Sequence, residues 1–329
     1  MESQAIVLMP YYQTERSLFG KSLQSFLDQD YQNKKLVIYI DNDKKNENDL
    51  NSILDNLDEK QKKQIVLIGG KRHNGLAEAR NELLKYVKEE VDDNAIIFQL
   101  DSDDCYTSNN VISNIVENVE KSGANVAILN FKYGFYDGKT EDKGLKTTKE
   151  QTGSISKKYT KAKYFEPEED FKNLTSLGWT KVYTAKLFKK LPPVAGDGKY
   201  EDFVYMALFC FDNIKVVGVE SECITFNKYS SSITSTRTEK DCKDIVDRLN
   251  EFWKYLQTIH NETTCGPYTE REKKKKIEQI AKDFINGKTK QYESIFEAYD
   301  RVNETKLLGC FKEYLSNLST KNEEKQCQM

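Results

Sequence analysis

The chain has 329 residues, enough to bury a sizeable core in one or two domains. Apolar residues make up 38% and charged residues 31%, and 19 Tyr with 16 Phe exclude a disordered chain. A net charge of only −3 gives no electrostatic reason to expect a nucleic-acid partner.

The first 130 residues read as alternating strands and helices. Ala5 to Met9 is a short apolar run ended by Pro10, and Leu18, Leu23, Phe26 and Leu27 then recur at roughly helical spacing. Leu36 to Ile40 is a second strand, ending in Asp41-Asn42-Asp43. A polar segment over 46–63 carries Leu50, Ile53, Leu54 and Leu57 on one face. Ile65 to Ile68 is a third strand, followed by Gly69-Gly70, and Leu76 to Val87 is helical. Ala95 to Leu100 is a fourth strand, continuously apolar apart from Gln99, as a central parallel strand should be. Asp101-Ser102-Asp103-Asp104 follows at once. Thr107 or Ser108 is expected to cap the next helix, whose stripe is Val111, Ile112, Ile115, Val116 and Val119. Val126 to Asn130 is a fifth strand. This alternation predicts an α/β fold with a mostly parallel central sheet and helices on both faces.

Residues 131–170 are rich in Lys, Gly, Thr and Glu and read as a hairpin with an excursion. Gly178 to Tyr183 reads as an edge strand feeding a short helix at Ala185 to Phe188. Glu201-Asp202 opens an apolar helix, Phe203 to Phe211, and Val216 to Val219 and Ile224 to Phe226 are two further strands. From 239 the pattern becomes helical, with one stripe at Ile245, Leu249, Phe252 and Leu256, another at Ile277, Ile280, Phe284 and Ile285, and further helices near 292–302 and 307–318. The expected organisation is an α/β domain over 1–238, with halves 1–130 and 131–238, and a helical C-terminal region over 239–329. That region suits a cover over a binding site, a homodimer contact or a peripheral membrane contact. The basic run Lys273 to Lys276 reads as the solvated face of a helix.

Seven cysteines stand at wide spacings with no Cys-x-x-Cys, and His73 and His260 are the only histidines, which argues against a disulfide framework or a structural zinc site. The N-terminus shows neither the basic nor the apolar region of a signal peptide. No run of about 18 or more apolar residues occurs. A cytoplasmic protein is expected.

In an open parallel sheet, ligands bind at the carboxyl ends of the strands. Three such ends carry polar or acidic residues: Pro10-Tyr11-Tyr12-Gln13, Asp41-Asn42-Asp43 and Asp101-Ser102-Asp103-Asp104. They come from three strands yet open onto one edge. Closely placed carboxylates suit a hard cation, and such a cation can bridge a diphosphate and stabilise its departure. Asp101 and Asp103 sit two apart, so one can reach the metal while the other reaches a ribose.

On these residues the N-terminal half resembles the family 2 glycosyltransferases, which have the GT-A fold. Pro10-Tyr11-Tyr12-Gln13 is similar to the family's Pro-x-Tyr-Asn turn, with Gln13 in place of Asn. Asp41-Asn42 matches the acidic pair after the second strand, without the usual Gly-Ser-x-Asp continuation. Asn74-Gly75-Leu76-Ala77-Glu78-Ala79-Arg80-Asn81 resembles the family's Asn-x-Gly-x-x-x-Ala-Arg-Asn element. In the second half, Trp179-Thr180-Lys181-Val182-Tyr183 resembles the Trp-x-Lys-x-Tyr segment of capsule and lipopolysaccharide transferases, and Glu201-Asp202 the acidic pair that carries the general base. The resemblance covers roughly residues 4–235. It implies a nucleotide-diphospho-sugar donor, a UDP-sugar above all, with Mn²⁺ or Mg²⁺ as cofactor. It implies donor binding by Pro10, Tyr12, Asp41, Arg80, Asp101 and Asp103, with the metal on Asp103 and Asp101. Asp202 is the implied base, with Glu201 in reserve, and Trp179 stacks on a sugar or sits in the core. The implied reaction is transfer to an acceptor hydroxyl with inversion, on a glycan or a lipid-linked glycan. The rivals are a nucleotidyltransferase, whose Gly-rich phosphate loop is missing after the first strand, and a degenerate sugar-nucleotide-binding or assembly protein. A dinucleotide-binding oxidoreductase is disfavoured because no Gly-x-Gly-x-x-Gly follows that strand.

Overall fold

The computed structural model describes residues 2–41, 44–69, 75–135, 159, 161–164, 177–196, 200–228 and seven positions between 244 and 258. Four strands, β1 (Ala5–Tyr11), β2 (Lys34–Ile40), β3 (Ile65–Gly69) and β4 (Ile96–Gln99), run parallel in the order β3-β2-β1-β4. The helices between them are α1 (Arg16–Leu27), α2 (Lys44–Leu54), α3 (Glu59–Lys62) and α4 (Leu76–Glu90). Both faces of the sheet are covered, as the near-continuous apolar strands require. Ala5, Val7, Met9, Ile96 and Phe98 pack with Phe19, Leu23 and Phe26 of α1 on one face. Ile6, Leu8, Val37 and Ile97 pack with Leu83, Leu84 and Val87 of α4 on the other.

The chain continues through β5 (Cys105–Tyr106), α5 (Val111–Ser122), β6 (Val126–Phe135), β7 (Lys163–Tyr164), β8 (Lys181–Thr184), α6 (Ala185–Phe188) and β9 (Lys215–Lys228), with 3-10 segments at Gly178–Thr180 and Glu201–Cys210. β8 lies between β4 and β6 and is antiparallel to both, so it is an internal strand rather than the expected edge. β6 therefore runs in the direction of β4, and β9 pairs with it in parallel. The two strands expected over 216–226 form one strand, Lys215–Lys228, with a register shift around Asn130. The Asn130 amide donates to the Glu220 carbonyl there at 2.7 Å, which satisfies the displaced backbone and lets the ladder resume.

Two local expectations are corrected. Pro10 does not end β1, which runs on to Tyr11. The Leu8 carbonyl accepts from Leu100 on the β4 side, so the missing N–H of Pro10 faces the same side, beyond the last paired residue of β4. Neither Thr107 nor Ser108 caps α5. Its N-cap is Asn110, which makes no side-chain cap bond. The acceptor comes instead from Gln29, just past α1: its Oε1 accepts from the Ile112 N–H at 3.0 Å, while its amide donates to the carbonyls of Ser25 and Ser108. The buried Gln29 thus ties the end of α1 to the start of α5 and brackets the acidic segment between them.

The helical stripes expected after 239 lie outside the described residues. So do Asn42, Asp43, Asn74 and most of the 136–176 excursion. Of the C-terminal residues that are described, Arg248 donates to the Ala195 carbonyl at 2.5 Å and the Tyr255 ring meets Phe211 edge-on. Among the described residues no helix is long and apolar enough to cross a membrane.

Gln29→Leu should destabilise the protein by about 1–3 kcal/mol, because it leaves the buried Ile112 N–H without its acceptor. Chemical denaturation of the two proteins measures this, and an unchanged midpoint would show that Gln29 is not the cap.

Candidate active site

The carboxyl ends of β1, β2 and β4 meet along one edge, as the parallel order demands. Pro10 is buried in β1, and the Tyr12 side chain just beyond it is 42% exposed. Asp41 follows β2 and is buried, and its Oδ2 accepts from the Gly75 N–H at 3.2 Å. Gly75 opens α4 with φ of 85°, a backbone conformation that disfavours a side chain. Asp41 therefore fixes the start of the helix that carries Arg80.

Arg80 lies on the buried face of α4 with Ala77, Ala79, Leu83 and Leu84. Its Nη2 is 2.6 Å from Asp101 Oδ1, and its Nε is 3.8 Å from Glu201 Oε1. Burial opposes the Arg80 charge, but Asp101 and the other nearby acids outweigh it and hold the guanidinium firmly protonated. One cation thus gathers β4, α4 and the Glu201–Cys210 segment. The Asp101 side chain keeps 28% exposure, whereas that of Glu201 keeps 6%.

The next two acids diverge. Asp103 is partly exposed, and its carbonyl accepts from the Asn227 amide at 2.6 Å. Asp104 is buried, and its Oδ1 accepts from the Asn227 N–H at 2.8 Å. Burial, then Asp103 and Asp101, push the Asp104 carboxyl well above its usual range. Asp104 is therefore a fastening to β9. Ser102 meets Thr14 hydroxyl to hydroxyl at 2.5 Å, and Tyr106 donates its N–H to Ser25. These bonds hold the acidic segment against β9 and α1 together.

Asp202 accepts from the Gly178 N–H at 2.9 Å through Oδ2, while its buried Oδ1 has no hydrogen-bond partner among the described residues. A side chain on Gly178 would meet that Oδ1 at 2.6 Å, so only glycine allows the carboxylate to sit this close. Burial raises the Asp202 pKa, with Arg80 and the Gly178 N–H opposing the rise. Glu201 is raised as well, to about 8, first by burial and then by Asp202, against the pull of Arg80. Glu201 faces Arg80 in the ion cluster.

Of the two expected places for Trp179, a sugar platform or the core, the structure shows the core. Trp179 is 3% exposed, stacks on Phe226 at 5.1 Å and meets Phe131 edge-on at 4.8 Å, so the ring is packed inside the protein. Lys181, Asn227 and Gly178 are site residues that sequence reasoning did not assign. Lys181 stood inside a quoted motif, but nothing in its neighbours marked it as buried beside Asp202.

Asp101 and Asp103 fit a divalent cation by the chemistry of their donors. They offer carboxylate oxygens, and the adjacent Cys105 thiol is pushed up to about 12 by burial and Asp104, so it supplies no soft thiolate. Among the described residues no group of three or more His, Cys, Asp or Glu makes a closed cage. A hard cation held by one or two carboxylates, with phosphate completing its shell, needs no such cage.

Comparison with known proteins accords with this geometry. The fold is similar to that of S. aureus TarS, with a TM-score of 0.54 at 14% identity over 85% of this chain and 43% of that one. A TarS 1–349 structure in complex with UDP-GlcNAc matches with a TM-score of 0.54 at 16% identity, over 94% of this chain and 80% of that one. GalNAc-T7 with UDP, GalNAc and Mn²⁺ matches with a TM-score of 0.50 at 13% identity, over 90% of this chain and 56% of that one. The chain thus spans less than half the length of the first TarS structure. At these identities the likeness is one of fold. No curated protein sequence matches the chain. The sequence model for glycosyl transferase family 2 matches residues 6–190, more than half of the chain, and the chain belongs to that family.

Proposed function

We propose that the protein transfers a sugar from a nucleoside-diphosphate donor, a UDP-sugar foremost, to an acceptor hydroxyl on a glycan or lipid-linked glycan, with inversion at the anomeric carbon. The observation that carries this reading is a pair of buried, unsatisfied polar atoms of opposite character at one strand edge. Arg80 Nη1 is a donor and Asp202 Oδ1 an acceptor, and neither has a hydrogen-bond partner among the described residues. Buried polar groups are rarely left unpaired, and each exception calls for an explanation. An anionic donor and a hydroxyl acceptor supply the two missing partners.

Asp202 takes the proton of the acceptor hydroxyl at Oδ1 as that oxygen attacks the anomeric carbon. The Gly178 N–H holds Oδ2 and so aims the other oxygen. Arg80 fixes Asp101 and places positive charge beside the departing diphosphate. Asp101 and Asp103 would hold Mn²⁺ or Mg²⁺, which supplies charge neutralisation for the leaving group. The bound ligands of TarS and GalNAc-T7 support the choice of a UDP-sugar and a divalent cation.

The direct test is a panel of nucleotide sugars with Mn²⁺, scored by nucleoside-diphosphate release. A chain that binds a donor but never turns it over would favour the non-catalytic reading. Asp202→Asn keeps the shape of the side chain and should lower kcat by about 10²–10⁴-fold while sparing donor affinity. Full activity in that variant would move the base elsewhere. In the wild-type enzyme the base works ionised, so activity falls as pH drops through its folded pKa. Burial raises that pKa, so the acid limb should lie above the range of an ordinary aspartate. A pH–rate profile reads this out.

Asp103→Ala should weaken donor binding in the presence of Mn²⁺ and abolish the difference between Mn²⁺ and EDTA. Calorimetric titration of donor with and without metal checks it. A variant that keeps a wild-type metal effect would remove Asp103 from the proposed ligand set.

A further inference from the structure

Lys181 is the first residue of β8 and is completely buried. A buried ammonium is costly, and an apolar side chain of similar length would fill the same space more cheaply. Its hydrogen bonds indicate a local task. Lys181 Nζ donates to the Leu177 carbonyl at 2.6 Å and to Thr180 Oγ1 at 3.1 Å. The Thr180 hydroxyl itself donates to the same carbonyl at 2.6 Å. The peptide that owns this carbonyl also owns the Gly178 N–H, which donates to Asp202 Oδ2 at 2.9 Å.

A peptide unit is planar, and in the trans form its C=O and N–H point in opposite directions. Fixing one end therefore fixes the other. An ammonium on the oxygen also polarises the amide and strengthens the N–H as a donor. We propose that Lys181 is a positioning residue for Asp202, acting through the Leu177–Gly178 peptide to aim and polarise the N–H that holds the carboxylate. This rests on the reading of Asp202 as the base.

The charge balance around Asp202 agrees. Arg80 and Lys181 favour its carboxylate, Asp101 and Glu201 oppose it, and the buried phenols of Tyr183 and Tyr205 lie in the same field. Burial pushes Lys181 down to about 7, with Asp202 working the other way. The group therefore changes charge near neutral pH, where the relay can be observed.

Lys181→Met removes the ammonium and keeps an aliphatic stem. Its melting temperature should be unchanged or higher, with donor KM unaltered and kcat lower by on the order of tenfold or more. Its acid limb should move to higher pH, because the variant loses two influences that favour the Asp202 carboxylate. A pH–rate profile that coincides with the wild type overturns the proposal. If the variant does not fold, the wild-type protein decides. The Gly178 amide resonance should shift as Lys181 titrates, and a resonance that stays fixed through that titration overturns the proposal equally. Asp202→Asn, assayed in parallel, separates the two ideas. Wild-type transfer in Asp202→Asn removes the base and the relay together. Slow transfer there, with an unmoved Lys181→Met profile, removes the relay alone.

Discussion

Everything at the strand edge depends on the buried guanidinium of Arg80. It projects from the apolar face of α4, where an unpaired charge would be intolerable. Asp101 and Glu201 neutralise it, and they come from segments distant from it in the chain. A buried ion cluster of this kind rarely stabilises a fold more than well-packed apolar residues would. Its value here is positional. The end of β4, the buried face of α4 and the start of the Glu201–Cys210 segment are held in one arrangement, with α4 contributing the cation and the other two an acid each. Asp41 extends the constraint, because it anchors Gly75 at the start of α4 and so fixes where Arg80 enters.

Both acidic pairs at this edge divide their labour in the same way. In Asp103-Asp104 the second residue is buried and bonded to Asn227, which leaves the first partly exposed at the rim. In Glu201-Asp202 the first residue faces Arg80, and the second keeps one oxygen without a hydrogen-bond partner among the described residues. Adjacent carboxylates repel, and burial alone would protonate them. A distinct partner for each separates their environments. One acid of each pair is thus fastened inside the protein, Asp104 by Asn227 and Glu201 by Arg80.

The strands and helices up to residue 130 were legible because their apolar residues follow the period of each element. The convergence of the strand ends at Pro10, Asp41 and Asp101 followed from parallel order, while Arg80 was marked only by the family resemblance. Three kinds of feature were not legible. The α5 cap comes from Gln29, distant in sequence, and no local pattern encodes a partner that tertiary packing brings in. Trp179 could equally stack on a sugar or pack inside, and only its contacts with Phe131 and Phe226 decide. Gly178 stood at the start of an expected strand, where nothing in the local sequence marked it as required. Its requirement comes from the Asp202 carboxylate pressing against it, which is a close approach and not a backbone angle.

The insertion of β8 explains how so much of the site came to depend on one short motif. The alternating pattern of the first half predicts a mostly parallel sheet, and a parallel neighbour is one way to fill the place beside β4. That place is taken by a strand running the other way, with Ile96 opposite Thr184 and Ile97 opposite Tyr183. An antiparallel strand begins where its parallel neighbour ends. The turn that enters β8 is therefore brought to the carboxyl edge of the sheet, beside the residues that follow β4. A parallel strand at this place would have brought its exit there instead and left residues 177–181 at the opposite edge. The reversed strand is thus what allows the Gly178 N–H to meet Asp202 and what seats Lys181 beneath it. The same reversal sends Trp179 into the core, so a single turn supplies the packing of one face and the polar support of the other.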